Sequence, residues 1–463
     1  MNAEARDEPA RGEIFRGVLW AALLIQALLA IWLTRPWMGG DSSAYLDLAS
    51  SLSHGCFGSL RAGSCEADAL RPPGYPLILA AEVHGIGMPL VAVALLQVLL
   101  YLLSIFLMER LLARSGVSPL PLLAAAFIYP FGAIYSAAIM TEAWATLALS
   151  AIAFLMCTGK GGRGTAVAVG LISGAAALIR SDLLLVPLVL ALLMFFQHLR
   201  ASGLKAGLGH ALLPLLAAVL VLLPYVAWNA SHFGKPSPAP VASAVGNTLY
   251  LAVWQSRLSH EDLEPLYGRQ VTPAVAASGL VPEMAKLNRA IGAPAATVPF
   301  NPAAYDGQQA QTASSRLFGE AALQHIKAEP GLYARHVAAN LWLLWNTSIY
   351  PAALPPIPRV ALRIVSALTL IAGLLGLAIA MTSDRRRALL PAAALLLYLP
   401  AIHIWLHTEA RYTAAARPLL LMFAAILASF VAERFGRHLR QPAARRANVP
   451  PSREIGGDNA RIS

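Results

Sequence analysis

The stretch MPLVAVALLQVLLYLLSIFLM at 88–108 carries no charge, and ERLLAR comes directly after it. A run of that length crosses the hydrocarbon of a bilayer as one helix, and Arg110 and Arg114 mark the end that belongs on the cytoplasmic side. Similar apolar runs occur at 17–33, 120–139, 143–157, 165–179, 183–196, 211–228, 363–381, 388–406 and 413–431. Several fall short of the ~20 residues that a perpendicular helix needs, so their ends extend into polar flanks. Their Ala/Leu richness without alternation rejects a β-barrel. The expected fold is an all-α polytopic membrane protein with about ten transmembrane helices, eleven if 336–350 also crosses.

Composition agrees with this reading. Only 13% of the 463 residues are charged and 57% are hydrophobic, against about a quarter charged in a soluble domain. The balance of 35 Lys+Arg over 24 Asp+Glu gives +11. In a soluble chain that excess would point to nucleic acid; in a multispanning one it reflects basic cytoplasmic joints, and no nucleic-acid partner is expected. Arg6, Arg11 and Arg16, then Arg110 and Arg114, Lys160 and Arg163, Arg200 and Lys205, Arg385–Arg387 and the tail arginines after Val431 fall in every second joint or at the termini. Both termini are therefore expected in the cytoplasm. The first span lacks a small-residue cleavage site and should remain as an anchor.

The resulting division is a cytoplasmic segment 1–16, seven spans over 17–228 including a first outer loop 34–87, a large outer loop 229–362 with interfacial helices, three spans over 363–431, and a disordered basic tail 432–463. If HVAANLWLLWNTSIY at 336–350 crossed the membrane, the later basic joints would be inverted. It reads better as an amphipathic helix in the outer interface, with Trp342 and Trp345 as anchors. A helix is expected over 312–328, and PSPAPVASAVG at 236–246, low in apolar anchors, is expected to order only with substrate. Cys56 and Cys65 lie in the first outer loop, where they either close a disulfide ring or stay as thiols. Cys157 is a packing residue.

Ionisable residues near a membrane interior are candidate functional groups. Asp41, before the helix-like SSAYLDLA, reads on its own as an N-cap, which does not exclude a role as base. Arg71, Arg180 and Arg411 could bind phosphate through paired donors, or else snorkel to headgroups. Glu142 could be a dipole-favoured helix-start carboxylate or a sugar-binding acid, and Asp182 a partner for Arg180. His403, His407 and Glu409 sit in HIWLHTE, where histidines four apart on a helix would share a face. Hydrogen bonding to a phosphate or sugar is favoured there over a divalent metal, and no cofactor is assigned. Tyr45, Tyr75 and Tyr412 could line a pocket or anchor the interface. No P-loop or dinucleotide fingerprint points to a soluble nucleotide donor.

GGDSSAYLDLA at 39–49 followed by RPPGYPLILA at 71–80 resembles the first extracytoplasmic loop of the GT-C glycosyltransferases that use polyprenyl-phosphate sugars, in the branch of the protein mannosyltransferases and aminoarabinose lipid A transferases. FIYPFGAIYSAAIMTEAWATL at 127–147, the stretches 224–252 and 326–345, and the E-x-R-Y motif in HTEARYTAAARP at 407–418 are similar to later family segments, in order. The resemblance implies a GT-C fold and inverting transfer of a sugar from a polyprenyl-phosphate donor to an extracytoplasmic glycan, lipid or protein acceptor. It implies Asp41 as general base, and a bacterial inner-membrane enzyme whose site faces outward. The mannosyltransferase branch has an Asp-Glu pair where Ser42 comes after Asp41 here, which leaves a second acid unassigned. A glycan ligase or polymerase of related architecture shares these features. A lipid flippase is the competing class, but it would show internal repeats and midplane polar groups.

Overall fold

The computed structural model describes residues 4–34, 38, 41–61, 63–159, 161–263, 265–266, 270–299, 304–346 and 356–447. Arg35, Gly39, Gly40, Lys160, 347–350 and 448–463, on which some of the expectations fall, lie outside them. In chain order, α1 (Glu4–Thr34) leads to a loop that is itself folded: α2 (Ser42–Ser53), strands β1 (Gly58–Arg61) and β2 (Ser64–Ala67), α3 (Gly74–Leu79) and a π-helical turn, Ala80–Gly85. Next come α4 (Leu90–Arg114), α5 (Leu120–Ile128), α6 (Phe131–Ala137), α7 (Glu142–Thr158), α8 (Arg163–Ile179), a 3-10 turn Ser181–Leu183, α9 (Val186–Ser202) and α10 (Leu204–Phe233). A separate lobe holds α11 (Val245–Gln255), α12 (His260–Leu263), α13 (Pro273–Ala277), α14 (Leu280–Ile291) and α15 (Gly307–Ala328), and α16 (Pro330–Asn346) leads back from it. The chain closes with α17 (Pro356–Thr382), α18 (Arg386–His403), a 3-10 segment Ala410–Ala416 and α19 (Arg417–Ala447).

Every predicted apolar run is mainly helical, and the chain is a multi-pass membrane protein whose spans are all α-helical. Among the described residues six helices are individually long and apolar enough to cross a bilayer. The run 120–139 is not one straight span: α5 and α6 meet at 62°, because Pro130 cannot continue the α5 hydrogen-bond ladder. Outward-facing Leu216, Leu220 and Leu368 are exposed, as lipid contact requires. Inside, Gly170 and Gly174 let α8 close on α10: a Cβ on them would stand 2.6 Å from the Pro214 carbonyl oxygen and 2.9 Å from that of Ala218.

Three local features fill in the expected outline. The first loop contains a two-stranded hairpin, with Gly58 opposite Ala67 and Arg61 opposite Ser64, stapled by a Cys56–Cys65 disulfide. PSPAPVASAVG is tied to the rest of the chain by hydrogen bonds: the Asn229 side-chain amide donates to the carbonyls of Ser237 and Ala239 at 2.8 and 3.2 Å, and the Ala242 amide to Ala69 at 2.8 Å. The last helix continues to Ala447, past the boundary at 431 where a disordered tail is predicted. The predicted helix 312–328 is α15, which starts earlier at Gly307 and ends as expected before Glu329-Pro330. In α16, Trp342 is exposed but Trp345 is 5% exposed and packs in the main core, so only the first can serve as an interface anchor.

The charges sort to the two ends of the bundle. At one end Arg16 Nε donates to Glu109 at 2.5 Å and Arg385 Nε to the Ser115 carbonyl at 3.0 Å. At the other, the loops before α2, α3, α7, α9 and α19 converge.

Candidate active site

Asp41 stands at the start of α2, but its carboxylate makes no hydrogen bond to the helix amides. It turns instead to two guanidinium groups: Arg411 Nη1 donates to Oδ2 at 3.0 Å, and Arg71 Nη2 lies 3.7 Å from Oδ1. The capping reading therefore fails. Burial does push the carboxyl up, but Arg411 and Arg71 outweigh it and hold Asp41 below the ordinary carboxylate range.

Local sequence explains how Arg71 arrives there. The Asp68 carboxylate accepts the backbone amides of Leu70 and Arg71 at 2.9 and 2.7 Å, a turn that Asp favours. Pro72 and Pro73 stiffen the entry to α3, and Gly74 lets the turn rest on the end of α8, where a Cβ would stand 2.6 Å from the Leu178 carbonyl oxygen. That contact brings Arg71 beside the loop carrying Arg180. The Arg71 guanidinium stands 5.8 Å from the centre of the Tyr45 ring.

Arg411 is held by its own segment: Glu409 Oε2 accepts from its Nε at 2.5 Å. Glu409 Oε1 lies 3.8 Å from His407 Nε2, and His407 Nδ1 is 3.3 Å from the Tyr412 hydroxyl. The segment is clamped from the lobe side. Asn340 of α16 donates to the carbonyls of Ile404 and Leu406 at 2.8 and 3.2 Å, the His407 amide donates to Thr248 of α11 at 3.2 Å, and Thr413 donates to Leu344 at 2.7 Å.

A second cluster adjoins the first. Arg180 forks onto Asp182, with Nη2–Oδ2 2.6 Å and Nε–Oδ1 3.1 Å, and its Nη1 is 3.4 Å from Glu142 Oε1. His403 Nε2 is 3.2 Å from Asp182 Oδ2, and its ring stacks on Tyr412 at 4.7 Å, joining the clusters. Arg180 thus turns inward to carboxylates rather than outward to headgroups. Glu142 lies in the first turn of α7, 2% exposed, as a partner of Arg180.

Two sequence-based readings change here. Tyr75 is fully buried, its ring edge-on to Tyr45 at 5.1 Å and its hydroxyl 2.7 Å from the Gln97 side-chain amide. It supports Tyr45 from behind and lines no open surface. α18 ends at His403, so His403 and His407 do not share a helix face, and they take different carboxylates. Among the described residues no group of three His, Cys, Asp or Glu side chains is arranged to hold a metal ion.

Two residues escaped the sequence reading. Tyr398 donates to the Asp182 carbonyl at 2.5 Å, and nothing in its apolar context signals this. Arg417 is 1% exposed at the start of α19. An arginine inside a predicted span was a legible signal.

No family model matches the chain, and no curated protein matches it. Among solved structures, the chain is similar to ArnT from Cupriavidus metallidurans bound to undecaprenyl phosphate, with TM-score 0.36 and 14% identity over 88% of this chain and 76% of that one. It is likewise similar to the apo state of that protein, with TM-score 0.36 and 14% identity over 89% and 77%. It is also similar to the archaeal oligosaccharyltransferase AglB from Archaeoglobus fulgidus in complex with an inhibitory peptide and a dolichol-phosphate, with TM-score 0.45 and 13% identity over 96% of this chain and 52% of that one. At TM-scores of this size, the function rests on the chain's own residues.

Proposed function

We propose that the protein is a membrane glycosyltransferase that moves a sugar from a polyprenyl-phosphate donor to an extracytoplasmic hydroxyl acceptor, with inversion and with Asp41 as general base. The observation that carries this reading is the Asp41 carboxylate, released from its helix and held between Arg71 and Arg411 at the loop-rich end of the bundle. The motif resemblance supplies the substrate class. By the charge rule the opposite end, with Arg16, Arg114 and Arg385, faces the cytoplasm, and the motif resemblance adds a bacterial inner membrane.

In the proposed reaction an Asp41 oxygen takes the proton of the acceptor hydroxyl as that oxygen attacks the anomeric carbon. The bond from that carbon to the phosphate oxygen breaks, and polyprenyl phosphate leaves with the electron pair. Arg71 and Arg411 stabilise that leaving charge electrostatically, and Arg180 supports the neighbouring wall. A carboxylate holding two arginines is a weak base. Arg71 contacts it at 3.7 Å and Asp68 at 4.0 Å, and these loose pairs yield to a phosphate. When Arg71 transfers to the donor, Asp41 loses one cation and gains basicity, so the base is strengthened only once the donor is bound.

Purified protein should release undecaprenyl phosphate from at least one of a panel of radiolabelled undecaprenyl-phosphate sugars. Asp41→Asn should lower the rate by about 10²–10⁴-fold. Normal turnover in that variant would rule out Asp41 as the base. Uptake of the intact donor into vesicles without release of the lipid phosphate would favour a flippase instead.

A further inference from the structure

Arg417 is the most deeply buried cation of the site region, and its partners are unusual. Nη2 donates to the Ala410 carbonyl at 2.8 Å and Nη1 donates to the Tyr129 hydroxyl. The guanidinium stands 4.9 Å from the ring centre of Phe131, 5.3 Å from Tyr129 and 5.6 Å from Tyr135. Among the described residues no carboxylate forms an ion pair with it, and its Nε is buried without a hydrogen-bond partner. A cation kept this deep without an acid is unfavourable unless something else solvates it. Here the rings of Phe131 and Tyr135 and the hydroxyl of Tyr129 do so.

The groups it joins are the ones that matter for the site. Ala410 lies between Glu409 and Arg411, and the three rings belong to the break between α5 and α6 and to α6 itself. That element leads directly into Met140, Thr141 and Glu142, and Met140 Sδ stands 4.0 Å from Arg411 Nη1. We propose that Arg417 is a positioning residue that locks the Ala410–Ala416 segment to the α5–α6 break and thereby keeps Arg411 on Asp41. This deepens the proposed function and rests on it, since the position of Arg411 matters to catalysis only if Asp41 is the base.

The proposal predicts a change in the titration of Asp41. The charged and titratable groups facing that carboxylate are Arg411 and Glu409 from the E-x-R-Y segment, Arg71 from the turn before α3, Glu142 from α7 and Tyr45 from α2. Those around Arg417 are Tyr101 of α4, Tyr129 and Tyr135. If Arg411 swings away, one of the two cations holding Asp41 ionised is lost, and the carboxyl takes up its proton at higher pH. Arg417→Lys keeps the charge but lacks the fork that holds a carbonyl and a hydroxyl together. Any shift it causes is therefore due to geometry and not to lost charge.

The full-length protein in detergent is labelled with a carbodiimide, which reacts with protonated carboxyls, and labelling of Asp41 is followed against pH by peptide mass spectrometry. The midpoint should rise by about one pH unit in Arg411→Gln, by less in Arg417→Lys, and in the same direction in Tyr129→Phe, which keeps the ring and removes the hydroxyl. Wild-type midpoints in Arg417→Lys and Tyr129→Phe, beside a shifted Arg411→Gln, overturn the positioning role and leave the base reading intact. If Arg417→Lys does not fold, Tyr129→Phe decides alone. Normal sugar transfer by Asp41→Asn removes the base itself, and the positioning role falls with it, whatever the labelling gives.

Discussion

Around Asp182 the charges are close and shielded: Arg180 reaches it through two nitrogens at 2.6 and 3.1 Å, His403 adds a contact at 3.2 Å, and the Arg180 and Asp182 side chains are 12% and 15% exposed. Around Asp41 they are looser. One guanidinium nitrogen lies at 3.0 Å and another at 3.7 Å, and the carboxylate side chain is 39% exposed. Shielded pairs are costly to break from one side, whereas exposed pairs contribute about 0–1 kcal/mol. Two neighbouring clusters of the same residue types can thus serve opposite ends. The Asp182 cluster holds the ends of α8, α9 and α18 together, and the Asp41 cluster can exchange partners with a substrate.

The largest effect that tests this contrast is on stability. Asp182→Asn leaves Arg180 short of its main counter-charge and should destabilise the protein by about 3–5 kcal/mol, read as a lower thermal midpoint in detergent. Stability unchanged in that variant would dissolve the distinction between the clusters. A smaller effect, on binding, is expected from Arg71→Gln. Its stability should fall by no more than about 1 kcal/mol, while the KM for the lipid-phosphate donor rises about tenfold, equivalent to about 1.4 kcal/mol. If kcat fell instead with KM unchanged, Arg71 would act on the transition state and not on the ground-state phosphate.

Glu82 approaches the same contrast from the other side, with the smallest effect. It lies in the π-helical turn of the same loop, 6% exposed, and with no cation paired to it among the described residues, burial pushes its carboxyl up to about 7. Asp41, also buried in part, is held down because two arginines face it. The signs are therefore opposite. The ion pairs of Asp41 stabilise the fold at neutral pH and are lost as pH falls through its lowered value. Glu82 lowers stability increasingly as pH rises from the ordinary carboxylate range to about 7. Glu82→Gln should accordingly raise the thermal midpoint at pH 8 by about 2–4 °C and leave it unchanged at pH 4. A lower midpoint at pH 8 would mean that the ionised carboxylate has a partner after all.

Much of the architecture was legible in the residues because lipid imposes a simple rule: uncharged runs become helices, and the few charges left over stand out. Asp41, Arg71, Arg180, Glu142, His403, His407, Glu409, Arg411 and Tyr412 stand out on that ground, and the fold gathers them into two adjoining clusters. Pairing is what the residues alone do not reveal. The burial of Tyr75, the partner of His403 and the proton affinity of Asp41 all depend on neighbours more than 20 residues away in the chain: Gln97, Asp182, Arg71 and Arg411. Arg417 is the instructive intermediate. Its place in an apolar run was visible, but its aromatic cage depends on the α5–α6 break folding against it.

The order of residues alone thus sets which segments enter the membrane and where the functional charges gather, since both follow from the cost of placing polar groups in hydrocarbon. Which arginine holds which carboxylate is settled in the folded chain and nowhere earlier. Coulombic and hydrogen-bond energies vary steeply over a few ångströms, and those distances are set by close packing: Gly74 on α8, Asn340 on the loop before the last helix, and Arg417 on Ala410.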